Sequence, residues 1–162
     1  MRWFKLAAEE GEVEAQVRLG AIYYTGTNGI EKNYGKAAEC FTIAAEKGHS
    51  KAQNNLGIIY EKGKGVDQSD EKAFEWYQKA AKQGHGKAQL FLGAMYQNRR
   101  GVPTDNQTLE QECQELEISI DGLAVQNGPE YTKLLQEEIA VEWNRKAAKQ
   151  GYFLTACLMP IE

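Results

Sequence analysis

The chain has few cysteines, few prolines and no excess of positive charge. Its three cysteines, Cys40, Cys113 and Cys157, form no Cys-x-x-Cys pair, so neither a disulfide framework nor a zinc site is expected, and a reducing compartment is favoured. The three prolines leave room for long helices. The net charge of -4, from 19 Lys and Arg against 23 Asp and Glu, argues against nucleic-acid binding, because phosphate backbones select basic surfaces.

The chain also lacks a long apolar run. No stretch approaches the roughly 20 residues that a membrane-spanning helix needs, so no membrane span is predicted. The first residues lead directly into Glu9 and Glu10, unlike the apolar stretch of a signal peptide. We therefore expect a cytoplasmic protein if Met1 is the natural start, and a periplasmic or secreted one if a signal peptide was removed. The 42% hydrophobic and 26% charged residues are typical of a globular protein.

An internal repeat dominates what the sequence does contain. The motif Ala-Gln-x-x-Leu-Gly-x-x-Tyr begins at Ala15, Ala52 and Ala88, which lie 37 and 36 residues apart. Glycines inside this motif lower helix propensity by about 1 kcal/mol each, so their recurrence indicates close helix packing. The motif tyrosines (Tyr23, Tyr60, Tyr96) are interpreted as packing residues, with ligand contact as the alternative.

A second motif places Trp or Cys four residues before an Ala-Ala pair, with glycine three residues after the pair. It occurs at Trp3, Cys40, Trp76 and Trp143. Spacings of three and four put one apolar stripe on a helix, and a glycine just beyond the stripe is typical of a left-handed helix cap. Each repeat is therefore predicted to be a pair of short helices joined by turns.

Together with Gly-x-Gly-Val and Lys-Ala-x-x-Trp-Tyr-x-Lys-Ala-Ala-x-x-Gly in residues 63–84, these motifs resemble the Sel1-like repeat family, which is related to the tetratricopeptide repeats. The resemblance covers residues 1–103 and 141–155. It implies an all-α fold: a right-handed α-solenoid of antiparallel helix pairs with a helical insertion in the last repeat. It further implies a concave face that holds a protein or peptide partner, and it carries no catalytic residues to this chain.

We expect a single domain over residues 1–162. Its predicted parts are an N-terminal half-repeat cap (1–11), repeats (12–103), an acidic helical insertion (104–140), and the last repeat helix with a C-terminal cap (141–162). Helices are predicted over residues 2–10, 13–24, 34–47, 50–61, 70–83, 87–98, 108–125 and 130–150.

The insertion follows from a change of spacing. Gly65 and Trp76 are 11 residues apart, whereas Gly101 and Trp143 are 42 apart, so 31 residues are extra. Residues 103–140, the acidic segment, hold nine acids and one base, a net charge of -8. Such a surface steers a basic partner, although a solvated helix face, or packing against the basic body of the chain, is the favoured explanation. Its candidate partner contacts are Glu110, Glu112, Glu115 and Glu117.

Variable positions on the first helix of each repeat are the other candidates, because these helices line the concave face in related solenoids. They are Arg18, Asn55 and Phe91, followed by Ala21, Ile58 and Ala94. Tyr24 is a weaker candidate, and packing of Phe91 on the insertion is the alternative reading of that residue.

No catalytic, cofactor-binding or metal-ligating residue is predicted. His49 and His85 each follow a repeat glycine, which favours a turn role over metal binding. The leading hypothesis is therefore a non-enzymatic adaptor or scaffold that binds a protein or peptide. The alternative is a bacterial immunity protein that neutralises a toxin or lipase effector, and a hydrolase is disfavoured because the cysteine-rich relatives carry paired cysteines. A homodimer through exposed solenoid ends is a further hypothesis.

Overall fold

The computed structural model describes residues 6–8, 11–27, 29–123 and 128–153. Within these residues the chain is all-helical and has no β-strand, which confirms the predicted fold class of antiparallel helix pairs. The chain forms two compact units, Met1–His85 (unit 1) and Gly86–Glu162 (unit 2). No helix in the described ranges combines the length and apolar character that a membrane crossing needs.

From residue 11 onward, the described part of unit 1 forms four helices of equal length: α1 (Val13–Thr25), α2 (Tyr34–Glu46), α3 (Ser50–Lys62) and α4 (Asp70–Lys82). Each packs against the next along the chain. Their bounds agree with the predicted ranges to within one residue. The core between them is built from the apolar stripes, and Phe41, Leu56 and Ile59 are almost completely buried. Tyr23 and Tyr60 pack against this core, as predicted.

Two kinds of repeat glycine have different physical roles. Gly48 and Gly84 end helical segments with φ of 86° and 87°, a left-handed conformation that residues with a Cβ resist, which confirms the predicted caps. Gly57 lies inside α3, where a Cβ would meet the ring of Tyr77 at 2.6 Å. Close helix packing at the motif glycine is therefore confirmed.

The turns supply side-chain caps to the helices that follow them. Asn33 and Ser69 accept hydrogen bonds from the backbone N–H of Lys36 (2.9 Å) and Lys72 (3.2 Å), at the starts of α2 and α4. His49 does the same for α3, since its Nδ1 accepts from the N–H of Ala52 at 3.3 Å. The predicted turn role of His49 is thereby confirmed.

Unit 2 contains α5 (Gly86–Asn98), α6 (Asn106–Glu115) and α7 (Pro129–Lys149), and α7 packs against both of the others. An unbroken stripe of apolar residues at a spacing of four runs along α7, which agrees with the helix predicted over residues 130–150. All members of that stripe are buried: Tyr131, Leu135, Ile139, Trp143 and Ala147. The acidic segment thus contributes a short helix, α6, and the first half of α7.

The predicted helix over residues 108–125 was wrong at its C-terminal end, because α6 ends at Glu115. Glu117 adopts a left-handed φ of 60°. The N–H groups of Glu117 and Ile118 donate to the carbonyls of Gln114 (3.1 Å) and Cys113 (2.8 Å), which is the Schellman pattern of a helix end. The apolar spacing continued past this point and hid the stop.

Some sequence predictions lie partly or wholly outside the described residues. They are the helix over residues 2–10, the C-terminal cap at the end of residues 141–162, and Cys157. The other two cysteines, Cys40 and Cys113, are buried and carry free thiols.

Candidate functional site

Two helices of unit 1 carry the candidate residues at matching positions. On α1, Ala21 and Thr25 lie four residues apart; on α3, Asn55 and Ile58 lie three apart. Such spacings place side chains on one face of a helix. Asn55 and Ile58 are half-buried, and Ala21 is exposed.

These residues border a small cavity of about 210 Å³, here called the α1/α3 pocket. Its lining is Ala21, Tyr24, Thr25, Phe41, Asn55 and Ile58. The structure therefore brings together three predicted candidates, Ala21, Asn55 and Ile58, and adds the weaker candidate Tyr24. Most of the lining is apolar, and Asn55 supplies an amide group that can donate and accept hydrogen bonds.

The repeat motif itself explains why this pocket has an aromatic wall. Phe41 comes from α2 and is buried. Its ring reaches α1 at Gly20, where a Cβ would lie only 2.9 Å from the ring. Because Gly20 has no side chain, Phe41 can pack against α1 and close the pocket. The motif glycine thus shapes a surface as well as a core.

Lys64 and two tyrosines stand beside the pocket. The rings of Tyr24 and Tyr34 meet edge to face, with centroids 5.3 Å apart. The Lys64 ammonium lies 4.8 Å and 4.9 Å from their centroids, and it donates a hydrogen bond of 3.1 Å to Tyr24 Oη. That hydrogen bond, above all, raises the pKa of Lys64. Sequence analysis missed Lys64 and Tyr34, since neither occupies a periodic position.

Arg18 lies on α1 and is exposed, but it does not line the pocket. Its Nε is 3.1 Å from Glu14 Oε1, while His49 Nε2 lies 3.4 Å from Glu14 Oε2. The hydrogen bond from Arg18 is the main cause of the lowered pKa of Glu14. Phe91 and Ala94 are half-buried on α5 in unit 2, and their roles in binding stay predictions.

The structure corrects one of the four acidic candidates. Glu112 is only 4% exposed, so its prediction as a surface partner contact was wrong. Its carboxylate accepts hydrogen bonds from Tyr96 Oη at 2.5 Å and from Trp143 Nε1 at 3.0 Å. Burial is the main cause that raises the pKa of Tyr96, and the nearby Glu112 adds to it. Glu112 therefore joins α6 to α5 and α7 from inside unit 2.

The other three acids remain on or near the surface. Glu110 is half-buried and accepts a hydrogen bond of 2.9 Å from Tyr131 Oη. Glu115 and Glu117 are exposed at the end of α6. Of the four, these two are the ones that a partner can reach most readily.

The buried thiols are poorly suited to nucleophilic chemistry. Burial raises the pKa of Cys113 to about 11, and neighbouring carboxylates including Glu112 add to the shift. Burial also raises the pKa of Cys40. A thiol in that state is a weak nucleophile at neutral pH, because only the thiolate is reactive.

The repeats of this chain are similar to those of known proteins. A family model described as the Sel1 repeat matches residues 1–12, 13–49, 50–85, 86–108 and 122–152. A Sel1 repeat protein from Oxalobacter formigenes is 32% identical with a TM-score of 0.64, over 92% of this chain and 88% of that one. A protective antigen of uropathogenic Escherichia coli strains, displaying an SLR fold, is 34% identical with a TM-score of 0.61. The match spans 93% of this chain but only 33% of the antigen. A search of curated proteins gave no match.

Proposed function

Because the chain belongs to the Sel1 repeat family, we propose that it is a non-catalytic adaptor that binds a protein or peptide partner at the α1/α3 pocket. Sel1 repeats generally serve as protein–protein interaction modules. We infer that the partner contacts the residues that line the α1/α3 pocket.

One observation carries the proposal: residues from two successive repeats meet around one apolar cavity. A cavity of about 210 Å³ is smaller than typical small-molecule pockets, which hold ~300–1,000 Å³, so a single partner side chain is the better fit. Asn55 stands in the lining with an amide that can pair with a peptide backbone. An apolar anchor with one polar contact is the arrangement that gives a protein interface its affinity and its register.

Affinity capture tests the proposal with matched variants. The bait is the wild-type chain, Ile58→Glu in the pocket, or Ile43→Glu on α2, where the side chain is exposed and does not line the pocket. We expect a near-stoichiometric partner to be retained by wild type and Ile43→Glu and lost by Ile58→Glu. Purified partner should repeat that order in titration calorimetry. Undiminished binding to a folded Ile58→Glu variant would contradict the proposal.

The immunity-protein hypothesis is the second candidate, and the net charge of -8 in the acidic segment favours it. Glu115 and Glu117 are exposed, so these acids would contribute most to electrostatic attraction toward a basic cleft of the effector. The test is the double variant Glu115→Lys and Glu117→Lys against any effector that the chain neutralises. Unchanged neutralisation would remove the reason for this hypothesis.

A further inference from the structure

Three lysines flank the α1/α3 pocket, while the exposed acid Glu14 on α1 is paired with Arg18 at 3.1 Å. On α3, the exposed Lys51 and Lys62 each lie four residues from a pocket residue, before Asn55 and after Ile58 respectively. Four residues is one helical turn, so these lysines extend the same face beyond the pocket. Lys64 adds a third positive charge at the end of α3.

Lys64 is held in one position before any partner arrives. Its ammonium rests against two aromatic rings and donates to Tyr24 Oη at 3.1 Å, and Tyr24 itself lines the pocket. An ammonium group has three N–H donors and a full positive charge, so Lys64 can pair with a carboxylate while it keeps its hydrogen bond to Tyr24 Oη. A side chain that is already ordered loses less conformational entropy when it binds, which makes it an effective recognition group.

From this arrangement we propose that the α1/α3 pocket recognises an internal peptide segment in which an apolar side chain is accompanied by a carboxylate. The apolar side chain enters the pocket, and the acidic side chain pairs with Lys64. Lys64 contacts Tyr24, which lines the pocket, so the two binding points are close together. Because an extended segment rises about 3.3 Å per residue, we expect the apolar and acidic side chains within about three residues of each other. The proposal rests on the function proposed above and adds the chemistry of the partner.

The experiment is a display selection from a library of random peptides of about 12 residues, each closed by a fixed linker so that no free carboxyl terminus is presented. The baits are wild type, Lys64→Met, Lys64→Arg and Ile58→Glu. Lys64→Met keeps the aliphatic bulk and removes the charge, whereas Lys64→Arg keeps the charge. Circular dichroism establishes that each bait is folded.

We expect wild type and Lys64→Arg to enrich peptides that pair an apolar residue with Asp or Glu. Lys64→Met should retain the apolar preference and lose the acidic one. A synthetic peptide from the selection should bind Lys64→Met about fivefold more weakly than wild type, and added salt should shrink this difference. The same peptide with Asp or Glu changed to Asn or Gln should bind the two proteins equally.

Four outcomes would overturn the proposal, and they separate it from the function on which it rests. Acidic enrichment that persists with Lys64→Met, or apolar peptides with no acidic preference, removes the role of Lys64 and leaves the pocket in place. Identical peptides selected by Ile58→Glu remove the pocket itself, and with it the proposed function. A wild-type chain that sediments as a dimer, when folded Ile58→Glu sediments as a monomer, would assign the surface to a second copy and overturn the proposal of a separate acidic partner.

Discussion

Replacing the buried carboxylate of Glu112 gives the sharpest test of how unit 2 is held together. Glu112→Ala removes the acceptor for the Tyr96 hydroxyl and the Trp143 indole N–H, and both donors lie in the core. A buried donor that loses its acceptor costs about 1–3 kcal/mol, so the loss of the acceptor for two donors gives about 2–6 kcal/mol. For a domain of ordinary stability, ~5–15 kcal/mol, that is a large fraction.

Glu112→Gln is expected to cost less, about 1–2 kcal/mol. The amide oxygen of glutamine can still accept from the Trp143 N–H, and its NH2 group can donate to the oxygen of Tyr96, which is able to accept. The charge assistance of both hydrogen bonds is lost, and the hydroxyl hydrogen of Tyr96 loses the carboxylate as its acceptor, but the Trp143 N–H keeps its partner. The predicted order of stability is therefore wild type, Glu112→Gln, then Glu112→Ala.

Urea unfolding followed by circular dichroism and tryptophan fluorescence measures this order. The matched control is Gln111→Ala, an exposed position on the same helix, which should stay within about 0.5 kcal/mol of wild type. Tyr96→Phe in both backgrounds completes a double-mutant cycle, and its cost should shrink when Glu112 is already alanine. Additive costs, to within about 0.5 kcal/mol, would refute the reasoning.

Three further predictions concern packing, the thiol and pH. Gly57→Ala should lower the free energy of unfolding by about 1–3 kcal/mol because its Cβ would lie 2.6 Å from the Tyr77 ring. By contrast, Gly35→Ala should raise it by about 0.5–1 kcal/mol, because the nearest atom is 3.5 Å away; thermal melts compare the two, and equal effects would contradict the prediction. Cys113, buried with its pKa raised to about 11, should resist iodoacetamide until denaturant is added, as peptide mass spectrometry would show; labelling in the native state would argue against this. The pKa of Tyr96 is raised in the folded state, so its contribution to stability is complete below about pH 10 and declines as the pH rises further. Thermal melts above pH 10 should therefore show a smaller loss of stability for Tyr96→Phe than for wild type. An equal loss in the two proteins would contradict this prediction.

Most of the fold could be predicted because each repeat shows the same apolar pattern, which a packed helix pair requires. A stripe at spacings of three and four, followed by glycine, recurs with every pair, so α1 to α4 were located to within a residue. α6 had no such redundancy. Its stop depends on Glu117 in a left-handed conformation, where glycine would have been the signal, so the sequence carried no mark at that position.

The candidate site likewise contains some residues that could be predicted from the sequence and others that could not. Ala21, Asn55 and Ile58 occupy equivalent helix positions in successive repeats, and periodicity was enough to place them on a shared surface. Lys64 and Tyr34 belong to turn and helix-start positions, and their meeting with Tyr24 depends on how three segments pack in space. A spacing rule within one helix cannot reveal a contact between residues that are 40 positions apart.

Glu112 shows that a charged residue must be judged by its position before its charge. It stands three residues after Leu109 and four before Leu116, and both leucines are buried, so it occupies the apolar stripe of α6. Grouping it with Glu115 and Glu117 as surface charge ignored this register. An acid within an apolar stripe is expected to be buried only where hydrogen-bond donors face its carboxylate. Here the donors are Tyr96 and Trp143, which are both aromatic residues of the repeat motifs and carry a polar group. The inserted helix therefore attaches to unit 2 through residues that the repeat already provided.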